Sequence, residues 1–199
     1  MISWVVTSHR RDILEANLLA TLTIDDGDEL VLIEGAKSIT LAYAEGQTKA
    51  TQPIRCYIHH DVQILDLPRL RHELIESSEG VGIVGVVGSR DLRMPWWGGN
   101  KLGSVVDTRM GLLDFGPGGE CAVLDGLLLA TRQAVDWDID APGWHGYDHD
   151  ACAQMLARDL PNWCLTGAGE YLVHNAEPTK DRSSGWDDAA ARFRERWLR

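Results

Sequence analysis

Apolar stretches in the first half of the chain alternate between strand-like and helix-like spacing, and no other feature restricts the fold as much. Such alternation is the pattern of βαβ units and a mainly parallel sheet. Ile2–Thr7 reads as a first strand, and the stretch from Asp12 to Ala20 spaces its apolar residues as a helix does. Glu29–Glu34 is a second strand that Gly35 turns, Ser38 caps a helix running to about Ala50, and Pro53 stops that helix ahead of a third strand, Ile54–His59. Asp66 then caps a helix with Pro68 in its first turn and a stripe of Leu67, Leu70, Leu74 and Ile75.

Beyond residue 80 the regularity fades. Gly82–Gly88 reads as one buried strand, and a Trp/Gly-rich loop surrounds Pro95-Trp96-Trp97-Gly98-Gly99. Short strand candidates lie at Ser104–Asp107 and Gly111–Phe115, and Glu120–Leu124 leads into Asp125-Gly126 and an apolar Leu127–Ala130. A helix is expected over His149–Arg158, a strand over Tyr171–His174 and an amphipathic helix over Trp186–Leu198.

With 199 residues the chain is long enough for one well-buried domain and short for two. Hydrophobic residues make up 44% and charged residues 25%, a globular balance. No apolar run reaches membrane-spanning length and the N-terminus lacks the basic start of a secretory signal, so a cytoplasmic location is expected. Cys56, Cys121, Cys152 and Cys164 form no CxxC pair, which points to reduced thiols rather than a disulfide frame or zinc site. A formal net charge of −11 argues against a large phosphate-binding face, although Arg90, Arg93, Lys101 and Arg109 make a local basic cluster of the kind usually found in solvated loops.

The chemistry concentrates where the third strand ends. Arg55-Cys56-Tyr57-Ile58-His59-His60-Asp61-Val62 carries an apolar strand into a His/Asp cluster, at the strand end where open α/β sheets bind ligands. Asp61 is the leading metal candidate, since Mg²⁺ and Mn²⁺ prefer carboxylate oxygen and Mn²⁺ also accepts imidazole. Polar residues that merely begin a solvated loop would give the same string. Thr7, Ser8 and Glu34, at the ends of the first two strands, are candidates for nucleotide contacts, as any polar strand end would be. Arg11 lies where it would reach a diphosphate or simply face solvent. Trp96 and Trp97, backed by Gly98, offer aromatic faces for a sugar ring or for the core.

Taken in order, these pieces resemble a glycosyltransferase of the GT-A fold, in the family-2-like group related to the streptomycin-biosynthesis glycosyltransferase domain. The resemblance rests on Thr7-Ser8, Leu41-Ala42-Tyr43-Ala44-Glu45-Gly46, His59-His60-Asp61-Val62, Gly85-Val86-Val87-Gly88 before Trp96-Trp97-Gly98-Gly99, Val123–Ala130, Trp144–Cys152 and Val173-His174. It covers nearly the whole chain. Ala44 stands where the family usually has Asn, the His-His-Asp order departs from two acids flanking one residue, and Tyr147 stands where Glu often does.

The resemblance implies an α/β GT-A domain with a nucleotide-sugar-binding half over about 1–78, an acceptor and catalytic half over about 79–185, and a terminal helix over 186–199. It implies an enzyme that takes a sugar from a nucleotide-diphosphate-sugar to an acceptor hydroxyl with Mn²⁺ or Mg²⁺ on the diphosphate. Asp61 becomes the metal aspartate and His174 a second ligand. Asp148, in the place of the family's second acid, becomes the candidate base of an inverting transfer, with Asp125 and Asp150 as further sugar contacts. Asp148 and Asp150 would equally favour a helix N-terminus by capping and charge. The acceptor stays open among glycan, protein, metabolite and modified nucleic acid. A metal-dependent hydrolase or nucleotidyltransferase, and a carbohydrate-binding protein using Trp96 and Trp97, are the competing classes; the βαβ-rich first half and Asp61 weigh against the last.

Overall fold

The computed structural model describes residues 1–24, 27–141, 143–176 and 185–198. Residue 199, the last of the expected terminal helix, lies outside them. β1 (Ile2–Ser8), α1 (Arg11–Ala16), α2 (Leu18–Thr21), β2 (Glu29–Glu34), α3 (Ile39–Lys49) and β3 (Ile54–His59) form the first half, followed by β4 (Val62–Ile64) and α4 (Leu67–Ser77). Parallel pairing joins β1 to β2 and to β3. Every residue of β1 is buried, as a central strand covered on both faces must be.

Two caps fall where the sequence puts them. Ser38 accepts the amide of Leu41 at 3.3 Å and Asp66 accepts that of Arg69 at 3.0 Å, each relieving a free N–H of a first helical turn. α3 lies directly on β1, because Gly46 has no side chain: a Cβ there would come within 2.3 Å of Val5 Cγ1. The expected helix over Asp12–Ala20 is instead two short ones. Asn17 breaks it with φ −114° and ψ −85°, and its side-chain amide donates to the carbonyl of Ile13 at 2.8 Å, competing with the backbone ladder.

The second half weaves two sheets together. β5 (Val84–Gly85), β6 (Val87–Ser89), β7 (Lys101–Asp107), β8 (Gly111–Asp114), β9 (Gly119–Cys121), β10 (Val123–Leu124), β11 (Leu128–Thr131), α5 (Tyr147–Leu156), β12 (Asn162–Cys164), β13 (Leu172–His174) and α6 (Trp186–Trp197) follow in order. A seven-stranded sheet runs β2-β1-β3-β11-β5-β12-β9, and a six-stranded one runs β10-β6-β7-β13-β4 with β8 on β7. The single strand expected over Gly82–Gly88 divides: Val84 pairs in the large sheet, Val87 in the small one. Pairing in the large sheet is parallel through β2, β1 and β3 and between β5 and β12, while β11 and β9 enter antiparallel. One core spans both sheets, with Trp4, Tyr43, Tyr57 and Tyr171 among its largest fully buried side chains. The four cysteines are buried and unpaired.

Candidate metal centre

Strand register brings the chemistry together. Thr7 of β1 lies opposite His59 of β3, so the end of the third strand sits at the sheet centre. The chain then turns through His60 and Asp61 into β4, where Val62 pairs antiparallel with His174 of β13. The amide of Asn175 donates to the carbonyl of Asp61 at 2.8 Å, which closes the turn against β13. His59, Asp61 and His174 each present a ligand atom within 4.8 Å of the others. His59 stands two residues before Asp61, a spacing that signals its part only once the turn is known.

The electrostatics fit a bound cation. Asp61 Oδ1 is buried and has no hydrogen-bond partner among the described residues, whereas Oδ2 lies 3.4 Å from His174 Nε2. A buried carboxylate oxygen without a donor is costly unless something positive completes it. Burial works against the charge of Asp61, but the hydrogen bond and charge of His174, with His59 and His60 nearby, outweigh it and hold the carboxyl well below the usual carboxylate range. Burial depresses the pKa of His59 despite Asp61, favouring the neutral imidazole that a metal requires. His174 is also buried, yet Asp61 raises its pKa above the ordinary value. Two imidazoles and a carboxylate with an open oxygen suit Mn²⁺.

Neighbouring side chains orient both imidazoles. His59 Nε2 meets the Tyr147 hydroxyl at 2.7 Å, and burial raises the tyrosine pKa far enough to keep its proton. Gly126 makes that contact possible, since a Cβ there would lie 1.9 Å from the Tyr147 hydroxyl. Asp107, at the end of β7, takes His174 Nδ1 at 3.1 Å. Neither orienting contact was legible in the sequence, because each joins residues more than sixty apart.

The other expected site residues fall at differing distances from this centre. Asp148, in the first turn of α5, accepts from the Gly126 amide at 3.0 Å through Oδ2, and from the His149 amide at 2.9 Å and ring at 2.8 Å through Oδ1. Burial opposes its charge, and His149 with these amides still holds its pKa below the ordinary value. Asp125 accepts from the Trp96 indole at 2.9 Å and from the Leu127 amide at 3.0 Å. Asp125 and Asp148 are both close enough to raise the pKa of His59.

Asp150 serves packing in this arrangement: its oxygens take Gln154, Arg196 and the Trp197 indole, fastening α6 to α5. Trp96 is buried, whereas Trp97 is 52% exposed and stacks on Trp186 at 5.1 Å. The Gly98 carbonyl accepts from Arg93 at 2.8 Å. Ser8 Oγ meets His60 Nδ1 at 2.7 Å, and Thr7 is buried beside His59. Glu34, half exposed opposite Ser8, faces Arg11 at 3.7 Å. Among the described residues no helix is long and apolar enough to cross a membrane.

No curated protein matches the sequence. Among solved structures, the chain is similar to GalNAc-T7 crystallised with UDP, GalNAc and Mn²⁺, at a TM-score of 0.58 and 11% identity, covering 100% of this chain and 49% of that one. It thus spans about half the length of that protein, and the likeness gives the GT-A fold. A197 from STIV aligns over 92% of this chain and 98% of its own at a TM-score of 0.48 and 10% identity. The model of the glycosyltransferase like family matches residues 17–180, and on that match the chain belongs to this family.

Proposed function

We propose that the protein is a metal-dependent glycosyltransferase that uses a nucleotide-diphosphate-sugar donor, with His59, Asp61 and His174 holding Mn²⁺. The unpartnered Asp61 Oδ1 beside two histidines is the observation that carries this reading. When bound, the ion offsets the negative charge that grows on the departing nucleoside diphosphate. The Mn²⁺ and UDP of the GalNAc-T7 crystals support a uridine donor here, and the order of the chain's own motifs is the ground for the streptomycin-related branch.

Residues 1–78 supply the donor half in this reading. Thr7, Ser8 and Glu34 at the ends of β1 and β2 face the nucleotide, and Arg11 lies beside Glu34. Residues 79–185 supply the acceptor half. There Trp97 offers an exposed face for a sugar ring, Gly98 lies behind it, and Asp125 sits between Trp96 and the strand end of β11.

Asp148 is the proposed base that inverts the anomeric centre. A carboxylate oxygen carries two lone pairs. Among the described residues Oδ1 has two acceptor contacts to His149 and Oδ2 only the Gly126 amide, so Oδ2 keeps a lone pair to take the acceptor's proton. Thermal-shift screening with Mn²⁺ and a panel of nucleotides and nucleotide-sugars tests the donor: stabilisation by a uridine diphosphate only with metal supports the reading. Stabilisation by free sugars without metal would replace it with a binding protein. A product that keeps the donor's anomeric configuration would remove Asp148 from the base's role.

A further inference from the structure

Asp107 divides its carboxylate between two tasks. Oδ1 accepts the amides of Arg109 at 2.9 Å and Met110 at 3.1 Å, which shapes the turn from β7 to β8. Oδ2 faces His174 Nδ1 at 3.1 Å. The side chain is 3% exposed, and parallel pairing sets Asp107 directly beside His174, so the contact is built into the register. The Thr108 amide donates to the His174 carbonyl at 3.0 Å and fixes the histidine backbone as well.

An imidazole that gives its Nδ1 proton to a carboxylate keeps Nε2 as its lone-pair nitrogen. Nε2 is the atom that faces Asp61, at 3.4 Å. A ligating histidine held this way has its tautomer and ring plane chosen before the metal arrives, and losing such a partner typically weakens metal binding by about 10–100-fold. The opposite tautomer would turn its proton to Asp61, but that carboxylate lies at 3.4 Å against 3.1 Å for Asp107, so the neutral ring places its proton on the nearer contact.

We propose that Asp107 is a positioning residue that holds His174 in the Nδ1-protonated tautomer and so presents Nε2 to a divalent cation shared with His59 and Asp61. This rests on the metal-centre reading above. Asp107→Asn separates the two tasks of the side chain. Its amide oxygen still accepts the Arg109 and Met110 amides, while its NH₂ turns toward His174 and favours a proton on Nε2, the nitrogen meant for the metal.

The test has two arms. In the metal-free wild type, nitrogen-15 NMR of the histidine rings, at a pH where they are neutral, should find His174 protonated at Nδ1; a proton on Nε2 overturns the proposal and needs no variant. Mn²⁺ titrations followed by the electron paramagnetic resonance of the free ion should then show affinity about 10–100-fold weaker in Asp107→Asn, with the metal-free melting temperature kept. Unchanged Mn²⁺ affinity in a folded Asp107→Asn overturns it too. Wild-type protein that binds no Mn²⁺ would sink the metal centre itself, a failure the metal-free tautomer measurement distinguishes from failure of the positioning role.

Discussion

Asp28 and Asp61 are both aspartates whose charge the fold protects, but they differ in whether their oxygens are satisfied. Asp28 Oδ1 accepts from the Ile2 amide at 2.9 Å and Arg71 at 2.8 Å, and Oδ2 from the Trp4 indole at 3.2 Å and Arg71 at 2.6 Å. Its side chain is fully buried and its charge spent on holding α4 to the start of β1. Asp61 sits at the other end of that sheet core with Oδ1 unpartnered and two imidazoles in reach. A satisfied buried carboxylate is a structural tie; one left half-satisfied next to metal-ligating nitrogens is poised for a ligand.

The largest effect should come from Asp61→Ala. Loss of metal assistance to a diphosphate leaving group removes several kcal/mol, so transfer from a uridine-diphosphate-sugar should fall by about three orders of magnitude. The metal-free melting temperature should fall less than in Asp28→Asn, since Asp61 Oδ2 balances only His174 while Oδ1 holds no donor among the described residues. A large drop in melting temperature would make Asp61 a second Asp28 and break the contrast.

Asp148→Asn tests the intermediate case, a carboxylate with three donors and one open lone pair. Donor binding should persist while transfer falls by roughly two orders of magnitude, the scale of a lost general base. Asp150→Asn should cost less transfer, because its oxygens already serve Gln154, Arg196 and Trp197. Near-normal transfer by Asp148→Asn would assign Asp148 to the structural side of the comparison.

Asp28→Asn should do the reverse of Asp61→Ala: about 3 kcal/mol of stability lost in urea denaturation, since it strands part of a bidentate arginine pair, with Mn²⁺ affinity unchanged. The same pair contributes to the acid limb of the stability curve, along with the other carboxylates held below their ordinary pKa, Asp61 and Asp148 among them. Burial alone would raise the Asp28 pKa, but Arg71, the Ile2 amide and the Trp4 indole outweigh it and leave the folded value below the ordinary one. Its contribution is therefore complete above the unfolded carboxylate pKa and is lost as pH falls through the folded value. Wild type should lose stability over that window and Asp28→Asn should lose less, as acid melts followed by circular dichroism would read.

Trp96 and Trp97 repeat the contrast on a smaller scale. Trp96 is buried with its indole satisfied by Asp125, while Trp97 is exposed, stacking on Trp186 and meeting Trp96 edge-on. Trp97→Ala should raise the acceptor KM severalfold in steady-state kinetics and cost about 1 kcal/mol of stability from the lost aromatic pair. A stability loss with an unchanged KM would leave Trp97 a packing residue.

Local rules made the first half legible. Ile54–His59 has its expected bounds because an apolar run between Pro53 and a polar cluster can be little else, and Ser38 and Asp66 cap as their side chains dictate. The second half is less so: no periodicity marks the three residues of β12, and Gly82–Gly88 serves two sheets, which periodicity along one strand does not encode. At the centre, Asp61 stood out in its own string and His174 through a motif. Tyr147 and Asp107 act across distances in sequence that only strand register resolves.

Calorimetric titration of uridine diphosphate into the protein with and without Mn²⁺ tests the metal centre most directly. Mn²⁺ should strengthen binding in wild type and in Asp28→Asn, and that gain should be lost in Asp61→Ala and His174→Ala. Equal affinity with and without Mn²⁺ in wild type, or a Mn²⁺ gain that survives Asp61→Ala, would contradict the metal-centre reading.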